Sequence, residues 1–163
     1  MGKKKHTTKE EKEFYARIPK KRAGGGVIFL NKKDKILLVK PSYRDYWLFP
    51  GGIVEKDESP REGAIREIKE EIGFDVVNCR LVSVDYVSDD GIRGDAMEFL
   101  FYGGVLSEKD IKNIKLDDEI VEYKFMGIKE AAEKVSRKAK TRLINTLEAI
   151  KNNSVVYLEN GEL

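Results

Sequence analysis

Glu67, Glu70 and Glu71 stand at i, i+3 and i+4 in a stretch whose apolar residues recur at helical spacing. At roughly 100° per residue they share one side of a helix, while Ala64, Ile65, Ile68 and Ile72 share another. Like charges so placed repel one another by roughly 0.2–0.5 kcal/mol per pair. A divalent cation relieves that repulsion, and a donor set made only of oxygen suits Mg²⁺ or Mn²⁺. A solvated, charged helix face is the other reading of the same residues. Gly63, one turn before Glu67, leaves the acidic side open.

The helix that must carry these glutamates is well punctuated. Ser59 can cap its start, Pro60 fits the first helical position, and Glu62 completes a Ser-x-x-Glu capping box. Gly73 sits where a left-handed C-terminal cap belongs. Immediately upstream, Trp47-Leu48-Phe49 reads as a short strand delivering Pro50, Gly51 and Gly52 as a turn. Glycines there let backbone approach a phosphate closely.

Gly52, five residues, Glu58, seven residues, then Arg66-Glu67-Ile68-x-Glu70-Glu71-x-Gly73-Phe74 resembles the Nudix box of the MutT-type hydrolases at every defined position. The box covers 23 residues, and Trp47-x-x-Pro50-Gly51-Gly52 adds a further resemblance. The resemblance implies an α/β/α sandwich with a mixed β-sheet. It also implies a metal-dependent hydrolase that cleaves the pyrophosphate bond of a nucleoside diphosphate linked to another group. By position in the box, Glu67, Glu70 and Glu71 would bind the metal, Mg²⁺ or Mn²⁺. Which of them also acts on water stays open.

By helical geometry Arg66 points away from the carboxylate centre, where it would pair with Glu58 and brace the loop. Glu119, in the acidic loop before a late strand, lies where many family members place one more catalytic or metal-binding carboxylate. Glu98 is its competitor, with an exposed or paired structural role expected from its place in a strand. Gly51, Gly52, Arg44, Tyr46 and Trp47 are expected to contact substrate, with core filling the alternative for Trp47 and Phe49. The lone histidine, His6, is read as inert.

Composition bounds the rest. A chain of 163 residues with 40% hydrophobic and 37% charged residues suits one soluble domain. With one cysteine, Cys79, there is no intramolecular disulfide and no cysteine metal cluster. No apolar run approaches the ~18 residues of a membrane span, so a cytoplasmic location is expected. Residues 1–22 hold nine basic residues against three glutamates, a net of +6. The whole chain carries +2, so the remainder carries −4. We therefore divide the chain into a basic, frayed extension (1–22), with Phe14, Tyr15 and Ile18 docking on the body, and a hydrolase domain (23–163). An acidic body argues against dedicated nucleic-acid binding, and a homodimer is compatible with the sequence.

Along the domain, residues 23–26 read as a flexible lead-in, and residues 27–30 and 36–39 as strands joined by a hairpin turn. Both runs lack alternation, so both faces of the sheet should be covered. Further strands are expected at 76–77, 81–87, 97–105, 121–126 and 155–158. A helical stripe runs from Ile128 to Ile150, broken near Ser136. The substrate is not fixed by these features. No proline follows Pro60, so a family marker for ADP-ribose is absent, as are those for NADH and coenzyme A. A nucleoside triphosphate or a nucleotide-sugar-type diphosphate remains, with ADP-ribose still open. A non-catalytic nucleotide sensor on the same fold is the alternative, although such members usually lose a box glutamate.

Overall fold

The sheet grows from the two continuous apolar runs. In the computed structural model, which describes residues 7–163, they form β1 (Arg22–Asn31) and β2 (Ile36–Pro41), antiparallel with Leu30 opposite Ile36. Asn31 closes the hairpin by accepting the N–H groups of Lys33 and Lys35 on its Oδ1. The chain continues through β3 (Gly51–Ile53), α2 (Pro60–Ile72), β4 (Arg80–Val87), β5 (Ala96–Leu106), α3 (Glu108–Lys112) and β6 (Ile120–Met126). It ends with α4 (Ile128–Lys134), α5 (Arg137–Lys151) and β7 (Val156–Glu159), and α1 (Thr8–Arg17) precedes the sheet. The strands lie in the order β6-β2-β1-β5-β4-β7, with β3 paired to β1. Pairs β1–β5 and β4–β7 are parallel and the others antiparallel, so the sheet is mixed.

Because successive side chains in a strand alternate faces, a run with no polar gaps serves two cores. Val27, Phe29, Leu37 and Val39 meet Ala64, Ile68 and Ile72 of α2 on one face. Ile28, Ile36 and Leu38 meet Ala131 and Val135 of the α4 segment and Ala139 and Leu143 of α5 on the other. Helices thus cover both faces of a mixed sheet, the α/β/α sandwich that the sequence implies.

Several local expectations are corrected. The extension is helical rather than frayed from Thr8 to Arg17, because Thr7 and Glu10 form a reciprocal capping box. Phe14 and Tyr15 do not dock on the body; they stack edge to face on each other and stay exposed. His6 and the lysines before it lie outside the described residues. Residues 23–26 are strand rather than flexible. A side chain on Gly25 would meet the Pro60 carbonyl at 2.5 Å, so this glycine exists to let α2 pack directly on β1. Gly51 and Gly52 are likewise strand, facing Gly26 and Gly25. Residues 47–49 make only isolated bridges, and residues 76–77 form no strand.

A buried ion pair joins β4, α5 and the C-terminal segment. Asp85 on β4 is fully buried and binds Arg142 Nε of α5 at 2.6 Å. Its other oxygen accepts the Gly161 N–H at 3.0 Å, which ties the segment after β7 to the same point. Replacing Arg142 strands a carboxylate without its counter-charge, a loss of ~3–5 kcal/mol for buried pairs. Arg142→Met should therefore lower the urea midpoint strongly. Asp85→Asn in the same chain should recover much of the loss.

Candidate active site

The expected caps set the α2 helix. Ser59 accepts the Glu62 N–H while Glu62 accepts the Ser59 N–H, Pro60 stands in the first turn, and Gly73 takes φ of 68° at the C-cap. That register turns Ala64, Ile68 and Ile72 into the core and sends Glu67 and Glu71 toward β3. The Glu67 carboxylate lies flat against Gly52, where any side chain would overlap it. Glu71 Oε2 accepts the Gly51 N–H at 2.8 Å. The two glycines therefore let a carboxylate-bearing helix touch backbone.

Arg66 departs from its expected direction. It does brace Glu58, with Nε to Oε1 at 3.0 Å and Nη2 to Oε2 at 3.2 Å. Nη2 also donates to the Ile53 carbonyl at 3.0 Å. Its remaining arm, Nη1, reaches Glu67 Oε1 at 3.0 Å and Glu70 Oε2 at 2.8 Å. The wheel places Cα directions only. A long side chain ending in a planar five-donor fork can curl back over its own helix face. Arg66 is thus the counter-charge shared by three carboxylates.

Electrostatics follow from this packing. The Arg66 guanidinium, with the Glu55 N–H, holds the Glu58 carboxyl below the usual range. Burial pushes Glu67 up against the pull of Arg66. Glu71 is pushed up to about 8, first by burial and then by Glu67, Asp117 and Glu119, with the Gly51 N–H opposing. Among the described residues no three side chains form a ready-made metal cage. The donor set still fits a hard divalent cation: these carboxylates offer only oxygen, Glu67 and Glu71 crowd each other, and Arg66 reaches Glu67 and Glu70 but not Glu71.

The acidic loop comes to the same place. Asp117 donates its N–H to the Glu71 carbonyl at 3.3 Å, and Lys115 donates to the Ile72 carbonyl at 3.0 Å. These bonds dock residues 115–119 on the C-terminal end of α2. Glu119 accepts the Ser42 N–H on its carbonyl at 2.8 Å, fixing the loop to the segment after β2 as well. Both Glu119 and Glu71 act on the Tyr43 hydroxyl, which burial first and these charges next push upward.

A cleft of 720 Å³ opens on the other side of β3, over the α5 face of the sheet. Gly51, Gly52, Arg44 and Tyr46 line it, along with Tyr43 and Phe49. Arg44 lies over the rings of Tyr43 and Tyr46, 5.7 and 5.9 Å from their centroids. Trp47 does not line it. It is only 9% exposed and packs among Ile28, Leu38 and Val135, so core filling prevails over substrate contact. Gly24, Gly26 and Glu98 form part of the cleft floor, which the sequence did not disclose. The glycine run was the available sign, since a strand that drops its side chains opens space above it.

A mixed sheet between helices, with a carboxylate helix aimed at a glycine strand, defines an α/β/α sandwich. A family model described as the NUDIX domain matches residues 20–147. An RNA pyrophosphohydrolase from Nitratiruptor sp. is 32% identical over 108 residues, 61% of this chain and 70% of that protein. The mRNA-decapping enzyme subunit 2 of Saccharomyces cerevisiae is 38% identical over 86 residues, 50% of this chain. The chain spans only 8% of the yeast protein's length. The MutT protein of Methanosarcina mazei Go1 superposes with a TM-score of 0.66 at 22% identity, covering 83% of this chain and 98% of that one. The chain belongs to the Nudix family.

Glu71 gives the site a pH signature. Its ordinary value is 4.5 and its folded value is about 8. Between the two, the folded state keeps a proton that the unfolded state has lost, so raising pH favours unfolding. With divalent metal chelated, Tm should fall as pH rises from about 5 to about 8. Glu71→Gln should flatten that fall. A wild-type Tm that rises across the window would contradict the buried crowding of Glu71.

Proposed function

We propose that the protein is a metal-dependent pyrophosphohydrolase acting on a nucleoside diphosphate linked to another group, such as a further phosphate or a sugar. The observation carrying this reading is that Glu67 and Glu71 meet the glycine strand beside the cleft, with Glu70 joined to Glu67 through Arg66 and the acidic loop docked on the same end of α2. Residues 23–163 would be the catalytic domain and residues 1–22 an appendage to it. The named activities of the relatives, on RNA pyrophosphate groups and on mRNA caps, support the same bond class.

Glu67, Glu70 and Glu71 would hold Mg²⁺ or Mn²⁺. When bound, such a cation neutralises phosphate charge and stabilises the negative charge that develops during phosphoryl transfer. The chain's own residues supply the remainder. Arg66 and Glu58 hold the helix and loop in register, and the Gly51 N–H orients Glu71. Arg44 and Tyr46 would hold the nucleotide in the cleft, with Gly51 and Gly52 admitting the phosphates. Glu119 would take the proton of the attacking water as oxygen bonds to phosphorus and the phosphate–phosphate bridge breaks. A nucleotide sensor without turnover is the weaker alternative, because every box glutamate is present.

The test is hydrolysis of a panel of nucleoside triphosphates, nucleotide sugars, ADP-ribose and a 5′-triphosphorylated oligoribonucleotide. Activity should require added Mg²⁺ or Mn²⁺ and vanish with chelator. Glu67→Gln and Glu71→Gln should each lower turnover by at least ~10²-fold. Glu119→Gln should lower kcat by ~10²-fold or more at nearly constant KM, whereas Asp118→Asn should stay within about threefold of wild type. Full activity of Glu119→Gln would remove it from the mechanism. Chelator-resistant turnover would reject the reading as a whole.

A further inference from the structure

The cleft holds a carboxylate that the proposed hydrolysis does not use. Glu98 lies in the middle of β5, and its side chain points to the α5 face of the sheet, as its neighbour Leu100 does. The carboxylate rests flat on β1 over Gly24, its partner in the parallel ladder, where any added side chain would overlap it. Among the described residues it forms no hydrogen bond and no ion pair. Two nearby arginines are engaged elsewhere. Arg93 binds Asp90 through Nε at 2.9 Å and Nη2 at 2.5 Å. Arg142 binds the buried Asp85. The Glu98 oxygens are not buried, so the carboxylate stays open to water and to a ligand entering the cleft. Gly24 gives up a side chain to let it lie there.

Its position relative to the glutamates of α2 is set by the strand ladder. Gly24 pairs with Glu98 on one side and with Ile53 of β3 on the other. Glu98 and β3 are therefore two inter-strand spacings apart, roughly 10 Å. Among the described residues no further strand pairs beyond β3. A nucleotide whose base lies over Gly24 and Gly26 can pass its 5′-phosphates across that open edge, by Gly51 and Gly52, to Glu67 and Glu71.

We propose that Glu98 reads the base, and that the base is guanine. The proposal rests on the cleft being the nucleotide site put forward above. An ionised carboxylate accepts through two oxygens and donates nothing. Of the common bases, only guanine sets two donors side by side on one edge, N1–H and the N2 amino group. Both can reach one carboxylate in a paired, charge-assisted contact. Adenine and cytosine put a ring-nitrogen acceptor beside their amino group, and uracil flanks its single N–H with carbonyls. Each would press an acceptor against Glu98. The aromatic side chains of Tyr46 and Phe49 in the same cleft offer surface for the base to lie against.

The experiment compares GMP with IMP, which differ only in the 2-amino group and have no anhydride to cleave. Binding is titrated with Mg²⁺ present, for wild type, Glu98→Gln and Gly24→Ala. Wild type should bind GMP ~10–100-fold more tightly than IMP, the range for one hydrogen bond to a charged group. Glu98→Gln should bring the two affinities close together. Gly24→Ala should do the same with Tm nearly unchanged, because its methyl group displaces only the flexible end of Glu98. Equal affinities in wild type, no binding of either nucleotide, or a preference that survives both substitutions overturns the proposal. A parallel assay of GTP and ITP hydrolysis separates the two claims. A preference for GMP with no turnover of GTP, of a GDP-sugar or of any other member of the substrate panel leaves the base reading standing and rejects the hydrolase.

Discussion

The structure turns on the crowding of carboxylates against backbone at β3. Glu67 lies on Gly52, Glu71 accepts the Gly51 N–H, and the loop bearing Asp117 and Glu119 is bonded to the end of α2. Negative groups gathered this closely raise one another's proton affinity, and burial adds to the effect. Arg66 offsets part of the strain by bonding Glu58, Glu67 and Glu70 at once. A fold does not need this arrangement for stability. It is the arrangement that the proposed cation site would use, exchanging part of the Arg66 counter-charge for an external one.

That requirement explains features of the scaffold distant from the glutamates. For Glu67 and Glu71 to reach backbone, α2 must lie close to the sheet, so β1 and β3 carry glycines where they cross beneath it. Glycine in strands weakens them. Compensation comes from the long β1–β5 ladder and from cores on both faces. The same glycine patch leaves the opposite face of β1 bare at Gly24 and Gly26, which is what opens the cleft. One sequence economy thus serves both the carboxylate side and the cleft side of the sheet.

Much of this was legible in the chain, and the boundary between legible and hidden is physical. The limits of α2 could be read from Ser59, Pro60, Glu62 and Gly73 because capping is local chemistry. The two-faced sheet could be read from unbroken apolar runs. The break near Ser136 is equally local, since Ser136 caps α5 with its own side chain. What stayed hidden depended on partners far along the chain. Residues 23–26 looked flexible because nothing nearby reveals that β3 and β5 will pair with them and that Pro60 and Ala64 will pack on Gly25. Arg66 was sent the wrong way by a wheel that knows nothing of side-chain length. Glu98 passed for an exposed or paired strand residue because its place at the cleft exists only in the folded molecule. Trp47 sits beside the glycines in sequence, yet its ring belongs to the opposite core.

The central claim is that Glu67, Glu70 and Glu71 form one divalent-cation site. Mn²⁺ binding followed by electron paramagnetic resonance tests it directly, without substrate or turnover. Wild type should take up Mn²⁺ in a saturable way, and Mg²⁺ should compete for the same site. The triple substitution Glu67→Gln, Glu70→Gln, Glu71→Gln should fold and lose that uptake. Mn²⁺ binding that persists undiminished in the triple variant would contradict the account.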